Sequence, residues 1–223
     1  GPETIVRRTG IPLRARIGAN ESVFGPSPRV IAAMQAAAHE SWQYGDPEVY
    51  DLRLAIANFH GVKVENVTVG EGIDGLFGLA VRLFVERGVT VATSYGAYPT
   101  FNFHVAGFGG RLVTTPYVND HESPEALLDL AKRESARIIY FANPDNPMGT
   151  CWKAEVVQDL IDSTPSDKIL MLDEAYNEFA DSALPPLDVS NARLLRFRTF
   201  SKAYGMAGVR VGYALGHPHL ISA

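Results

Sequence analysis

Short apolar runs alternate with longer amphipathic segments over most of the chain. The runs lie near residues 67, 89, 111, 137, 169, 194 and 209, and each of them predicts a strand. The segments between them carry apolar residues at helical spacing, as Leu127, Leu128 and Ala131 do within Pro124 to Arg133. Buried strands separated by helices are typical of a parallel sheet that is covered on both faces. We therefore predict an α/β fold with three α/β/α layers and a mostly parallel sheet of seven strands.

The connection to the last strand is short, and this affects the predicted sheet. Little room for a crossover helix remains between the runs near residues 194 and 209, which favours one antiparallel strand.

Two helices are predicted upstream of the sheet. The first begins at Ser27 and Pro28, which are typical N-cap and first-turn residues, and runs to about His39. The second runs from Tyr50 to a stop at Gly61. The apolar residues of the first helix share one face: Val30, Ile31, Met34 and Ala38. Residues 1–25 show little periodicity, so we predict an N-terminal arm at 1–25 and one large domain at 26–223.

The composition excludes several classes of protein. With 46% apolar residues, 20% charged residues and a net charge of −5, the chain is typical of a globular protein without a basic surface for nucleic acid. No apolar run reaches the ~18 residues of a membrane helix, and no ligand spacing predicts a metal site. The single cysteine, Cys151, excludes an internal disulfide, and we expect a cytoplasmic location.

Lys202 is the first candidate for chemistry. It follows the apolar run from Leu194 to Phe200, and open α/β sheets bind ligands outside the carboxyl ends of their strands. Lysine also forms Schiff bases with carbonyl compounds, including pyridoxal phosphate (PLP). Taken alone, an exposed loop lysine is the commoner interpretation, because single motifs have low specificity.

Further polar groups follow other predicted strands. Asp173 comes after four apolar residues, so it is predicted to be buried and to pair with an arginine or with a protonated pyridine nitrogen. The glycine turn at 70–75 opens a helix, which is either an anion site or a structural turn. The remaining groups are Tyr98, Asn146, Tyr176 and Arg210, each with a structural interpretation of its own. Together they supply every group that PLP requires: an amine, a phosphate site, a pyridinium partner, donors to the ring oxygen and a stacking ring.

Five motifs carry a resemblance to a known family. In chain order they are GEGIDG, SYGAYPTF, NPDNPMGT, DEAYNEF and RTFSKAYGMAGVRVGY. Their joint occurrence resembles the fold-type I PLP-dependent aminotransferases, and most closely the histidinol-phosphate aminotransferase family. The resemblance implies PLP as cofactor, an amino acid or amino-alcohol phosphate as amino donor, and a 2-oxo acid as acceptor. It also implies a homodimer with shared active sites.

The resemblance assigns a role to each matching residue. Lys202 matches the lysine that forms the Schiff base and carries the proton, and Asp173 matches the partner of the pyridine nitrogen. Tyr176 and Asn146 match the groups that hold the ring oxygen, and Tyr98 matches the stacking aromatic. The phosphate ligands match Ser201, Arg210 and the backbone of Ile73 and Asp74. Tyr44 matches a tyrosine that reaches the phosphate of the neighbouring subunit's cofactor, and Asn20 matches a residue near the substrate.

The chain also departs from the family pattern. Gly75 stands where an acidic residue is common, and Met148 replaces the threonine of NPTG. The family's small C-terminal domain, with its substrate-binding arginine, is expected to be absent from this chain. Three alternatives stay open: an amino-acid-phosphate decarboxylase, a PLP-sensing transcription regulator, and a cofactor-binding fragment without turnover. The regulator requires a fused helix-turn-helix, which the N-terminus does not show.

Overall fold

A seven-stranded sheet forms the centre of the computed structural model, which describes residues 1–180 and 184–223. The strands are β1 (Val67–Glu71), β2 (Thr90–Ser94), β3 (Arg111–Thr115), β4 (Ile138–Ala142), β5 (Ile169–Asp173), β6 (Leu194–Thr199) and β7 (Val211–Gly216). The helices are α1 (Pro2–Thr9), α2 (Pro28–Ala37), α3 (Tyr50–His60), α4 (Gly72–Phe84), α5 (Pro99–Gly107), α6 (Pro124–Arg133), α7 (Ala154–Ser163) and α8 (Pro218–Ile221).

The sheet has the order β1-β7-β6-β5-β4-β2-β3. Strand β7 runs antiparallel to both of its neighbours, and the other pairs are parallel. The segment between β6 and β7 contains only one short 3₁₀ turn, Ala207–Val209, which is too short for the crossover that a parallel pair needs. The predicted α/β fold, with seven strands and one antiparallel strand, is therefore confirmed.

The two faces of the sheet carry separate apolar cores. Every residue of β4 is buried, and alternate side chains point to opposite faces. Ile138 and Tyr140 pack with residues of α4 and α5, whereas Ile139 and Phe141 pack with residues of α6 and α7. Helices thus cover both faces of the sheet and leave its strand ends free for a site. Within the described residues, no helix is long and apolar enough to span a bilayer.

The N-terminal arm differs from its prediction. Residues 2–9 form a helix, because Pro2 suits its first turn and Gly10 ends it in a left-handed conformation. Helix α2 begins at Ser27 and Pro28 as predicted, but none of its residues is buried. Ile31 and Met34 are each 41% exposed, so the apolar face that they share is uncovered in the single chain.

Candidate active site

A cleft of about 270 Å³ opens where strands β4, β5 and β6 end. Ala142, Asp173 and Thr199, the last residues of these three strands, all line it. Open α/β sheets bind ligands at this position. The cleft also brings together most of the residues that the sequence singles out, namely Ile73, Asp74, Tyr98, Asn146, Asp173, Tyr176, Ser201, Lys202 and Arg210.

One end of the cleft is suited to an anion. Helix α4 begins at Gly72, which has a left-handed φ of 74°, so the N–H groups of its first turn have no helical acceptor. Arg210 packs directly against Gly72 and donates to the hydroxyl of Ser201 over 3.4 Å. A helix N-terminus beside an arginine favours a bound phosphate. The predicted glycine turn at 70–75 is therefore shorter than expected, because β1 extends to Glu71 and the helix begins four residues early.

The amine of Lys202 lies under the N-terminal arm. Its Nζ donates to the carbonyl oxygen of Ala19 over 3.0 Å and lies 5.5 Å from the centre of the Tyr176 ring. Asn20 of the arm donates through Nδ2 to the hydroxyl of Tyr176 over 2.9 Å. Close approach of Gly205 to the backbone of Gly25 holds the arm against the loop that carries the lysine. The structure thus places Asn20 beside the predicted site residues, across more than 150 positions of sequence.

Asp173 is a buried carboxylate without an arginine partner among the described residues. Its side chain accepts hydrogen bonds from the Ala175 N–H at 2.9 Å and from the Tyr140 hydroxyl at 2.6 Å. Burial raises the pKa of Asp173 to about 6, and the nearby carboxylates of Glu174 and Asp145 act in the same direction. The two hydrogen bonds oppose this shift, because they stabilise the charged form. Of the two predicted partners, an arginine is therefore wrong, and the pyridine nitrogen stays a prediction.

The adjacent Glu174 holds the arginines of strand β6. Arg196 donates through Nε and Nη2 to one carboxylate oxygen, and Arg198 donates through Nε to the other. All three side chains are nearly or fully buried. Breaking such a network leaves an uncompensated buried charge, so we assign it to the scaffold beneath the cleft.

Tyr44 lies apart from this cleft. It is fully exposed, in the loop between α2 and α3. A site within the single chain does not include it, and its role at a neighbouring subunit stays a prediction.

Two further residues beside the site were missed by the sequence analysis. Tyr140 lies within the apolar run of β4. The pattern of that run predicts a buried strand but does not single out any one of its residues. Glu122 is 1% exposed, and one of its carboxyl oxygens accepts the N–H of Ala142 at the end of the same strand. Burial raises the pKa of Glu122 to about 8. No sequence signal marks this glutamate, because it follows a polar turn.

Residues 15–223 match the sequence profile of the family described as aminotransferase class I and II. The chain belongs to this family. It is 36% identical over 226 residues to the histidinol-phosphate aminotransferase of Anaeromyxobacter sp. (strain Fw109-5), in a match that covers 98% of this chain and 61% of that protein. The predicted resemblance to the aminotransferases is thereby confirmed.

Solved structures show the same relationship. The crystal structure of histidinol-phosphate aminotransferase from Sinorhizobium meliloti in complex with pyridoxal-5′-phosphate has a TM-score of 0.98 and 52% identity, covering all of this chain and 61% of that one. L-threonine-O-3-phosphate decarboxylase from Porphyromonas gingivalis has a TM-score of 0.77 at 20% identity, covering 88% of this chain and 61% of that one, and shares the fold alone. The chain spans 53% to 61% of the length of the histidinol-phosphate aminotransferases that it matches in sequence.

Proposed function

We propose that the protein is a PLP-dependent aminotransferase that moves an amino group between an amino-alcohol phosphate or amino acid and a 2-oxo acid. One observation carries the proposal: the cleft holds the amine of Lys202 together with Asp173, a buried carboxylate that forms no ion pair among the described residues. A buried carboxylate without a cation is costly unless a ligand supplies one. A protonated pyridine nitrogen is such a cation, and when bound PLP serves as an electron sink for the reacting carbon.

The residues of the cleft fit this cofactor group by group. Lys202 would bond to its aldehyde carbon, and Asp173 would accept the ring N–H. The phosphate would be held by Arg210, Ser201 and the N–H groups of Ile73 and Asp74. Tyr176 and Asn146 would hold the ring oxygen, and Tyr98 would cover a ring face.

Lys202 also moves the proton in the proposed reaction. When its Nζ is not bonded to the cofactor, Lys202 would be free to take the proton from the substrate α-carbon and to return it at the aldehyde carbon of PLP. Asp173 would hold the proton on the ring nitrogen, which would favour the loss of the α-proton. Asn20 donates to the hydroxyl of Tyr176, and it would thereby orient that hydroxyl toward the ring oxygen.

The similarity to histidinol-phosphate aminotransferases supports a phosphorylated amino donor. We also propose a homodimer, supported by large apolar side chains that are exposed in the N-terminal part of the single chain. These side chains are Val23, Phe24 and Trp42. A cytoplasmic location is part of the same proposal, supported by a single cysteine and the lack of a membrane-length apolar run in the sequence.

Product analysis tests the proposed reaction. The protein is incubated with PLP, histidinol phosphate and 2-oxoglutarate, with Lys202→Ala as the control variant. We expect any glutamate to form only when all three are present, and only with the unaltered lysine. PLP bound at Lys202 without formation of glutamate would favour the cofactor-binding fragment without turnover. Release of carbon dioxide from an amino-acid phosphate, without consumption of the oxo acid, would favour the decarboxylase alternative instead.

A further inference from the structure

The hydroxyl of Tyr140 makes one of the shortest hydrogen bonds of the structure, and it makes it with Asp173. The distance from Tyr140 Oη to Asp173 Oδ2 is 2.6 Å, and the bond is buried. Tyr140 has no exposed surface, so no water competes for its proton. A buried O–H donor to a carboxylate is a strong, charge-assisted hydrogen bond.

Packing fixes the ring of Tyr140 and with it the position of this hydroxyl. Phe101 stacks on the ring at 4.4 Å and 12°, and Phe77 meets it edge-on at 5.5 Å. Helix α5, which carries Phe101, starts directly after Tyr98 of the cleft, and α4, which carries Phe77, starts at the anion site. The hydroxyl is therefore positioned by the same two helices that shape the cleft.

The charges around Asp173 oppose its ionised form. Glu174 follows it in the chain, and the carboxylate of Asp145 acts on the same buried region from the loop after β4. The cations nearby, Arg196 and Arg198, are paired with Glu174. In the described residues, the ionised carboxylate is thus stabilised by two donors, the Ala175 N–H and the Tyr140 hydroxyl.

We propose that Tyr140 is a positioning residue that keeps Asp173 ionised and turned toward the ring nitrogen of the cofactor. The inference rests on the proposed function and goes beyond it. Without the hydroxyl, the proton shared by Asp173 and the ring nitrogen moves toward the carboxylate, because the charged form loses a donor. A ring nitrogen without its proton makes the ring a weaker electron sink, so the loss of the α-proton would slow.

If Tyr140 has only a structural role, its substitution should have a different effect. Tyr213 offers the matched control, since it is also buried and its hydroxyl lies 3.0 Å from Nε2 of His60, outside the cleft. Both Tyr140→Phe and Tyr213→Phe remove one buried hydroxyl and keep the ring. If Tyr140 only packs, the two variants change stability alone.

The test uses PLP labelled with ¹⁵N at the ring nitrogen and follows its chemical shift with pH in the reconstituted protein. We expect Tyr140→Phe to move the signal toward the unprotonated form at neutral pH and to lower kcat by about 10- to 100-fold with a smaller change in KM. Tyr213→Phe should leave the signal in place. In the background of Asp173→Asn, Tyr140→Phe should have little further effect on kcat, because Tyr140 acts through that carboxylate.

A Tyr140→Phe protein whose ring-nitrogen signal titrates like that of the unaltered protein would overturn the inference. Should Tyr140→Phe fail to fold, Tyr140→3-fluorotyrosine keeps the ring and makes the hydroxyl a stronger donor. The ring nitrogen should then keep its proton to higher pH, and an unchanged titration would equally refute the role. If the unaltered protein binds no PLP at Lys202, the proposed function fails, which is a separate result.

Discussion

Gly212→Ala tests how closely strand β7 approaches the start of helix α4. A β-carbon at Gly212 would lie 2.7 Å from the backbone nitrogen of Ile73 and 2.8 Å from the carbonyl carbon of Gly72. It would also lie 3.1 Å from the carbonyl oxygen of Arg198. These neighbours are backbone atoms on both sides of the strand, so a rotamer change cannot relieve the overlap.

The added methyl group must displace either α4 or β7. Overpacking of this kind costs about 1–3 kcal/mol, and for a chain of this size each kcal/mol lowers Tm by about 2–4 °C. The displaced atoms include the N–H of Ile73, which belongs to the proposed phosphate site. We therefore expect weaker binding of PLP as well as lower stability.

Gly208→Ala is the matched control for this substitution. Gly208 precedes strand β7 in the 3₁₀ turn Ala207–Val209, it is exposed, and a β-carbon there would meet nothing within 4 Å. Urea unfolding should show a change within about 0.5 kcal/mol for Gly208→Ala, and equilibrium titration should show unaltered PLP affinity. Equal stability and equal PLP affinity in the two variants would refute the argument that close backbone contact builds the anion site.

Three further predictions concern single side chains. Asp173→Asn should retain PLP but lower the single-turnover rate of α-proton loss by about 100- to 1,000-fold. Stopped-flow absorbance measures this rate, and an unchanged rate would contradict the role of this carboxylate. Glu122→Gln should flatten the dependence of stability on pH. Burial raises the pKa of Glu122 from 4.5 to about 8, so between these two pH values the folded state binds more protons than the unfolded state. The stability of the unaltered protein therefore falls as pH rises through that range. Urea unfolding of both proteins at the two ends of this pH range would detect the difference in slope. Parallel profiles of unfolding free energy against pH would count against the prediction. Tyr44→Phe should leave the unfolding free energy nearly unchanged, because Tyr44 is fully exposed. If the Tyr44 hydroxyl reaches the phosphate of a neighbour's cofactor, the variant should release PLP about tenfold faster. Sedimentation of the unaltered protein as a monomer that binds PLP normally would exclude that role.

The strand ends of the site are the part that sequence patterns predict well. Asp173 and Lys202 each follow an apolar run, and such runs define where a buried strand stops. Because parallel strands end at the same edge of a sheet, residues far apart in sequence are expected to meet there. The cleft confirms that these two residues meet, together with Asn146 and Tyr176.

Contacts that depend on strand register lie beyond such patterns. Tyr140 is paired with Met171, and its hydroxyl reaches the residue two places further along β5, which is Asp173. A shift of one position in the pairing would turn the tyrosine to the other face of the sheet. The burial of Glu122 depends in the same way on how the loop before α6 folds back onto β4.

The apolar face of α2 marks a different limit. Helical spacing predicts correctly that Ile31 and Met34 share a face, but it does not say what covers that face. In the single chain both side chains are partly exposed, and Phe24 and Trp42 are almost fully exposed. A periodic pattern reports that a surface is apolar, and the partner has to be identified by other means.

Borohydride reduction followed by peptide mapping tests the central claim most directly. The protein is loaded with PLP, reduced, digested and analysed by mass spectrometry, with Lys202→Arg treated in parallel. We predict one modified peptide, which contains Lys202, and no modification in the variant. A reduced adduct on Lys63, Lys132, Lys153 or Lys168 in place of Lys202, or an adduct that persists in Lys202→Arg, would contradict the proposed active site.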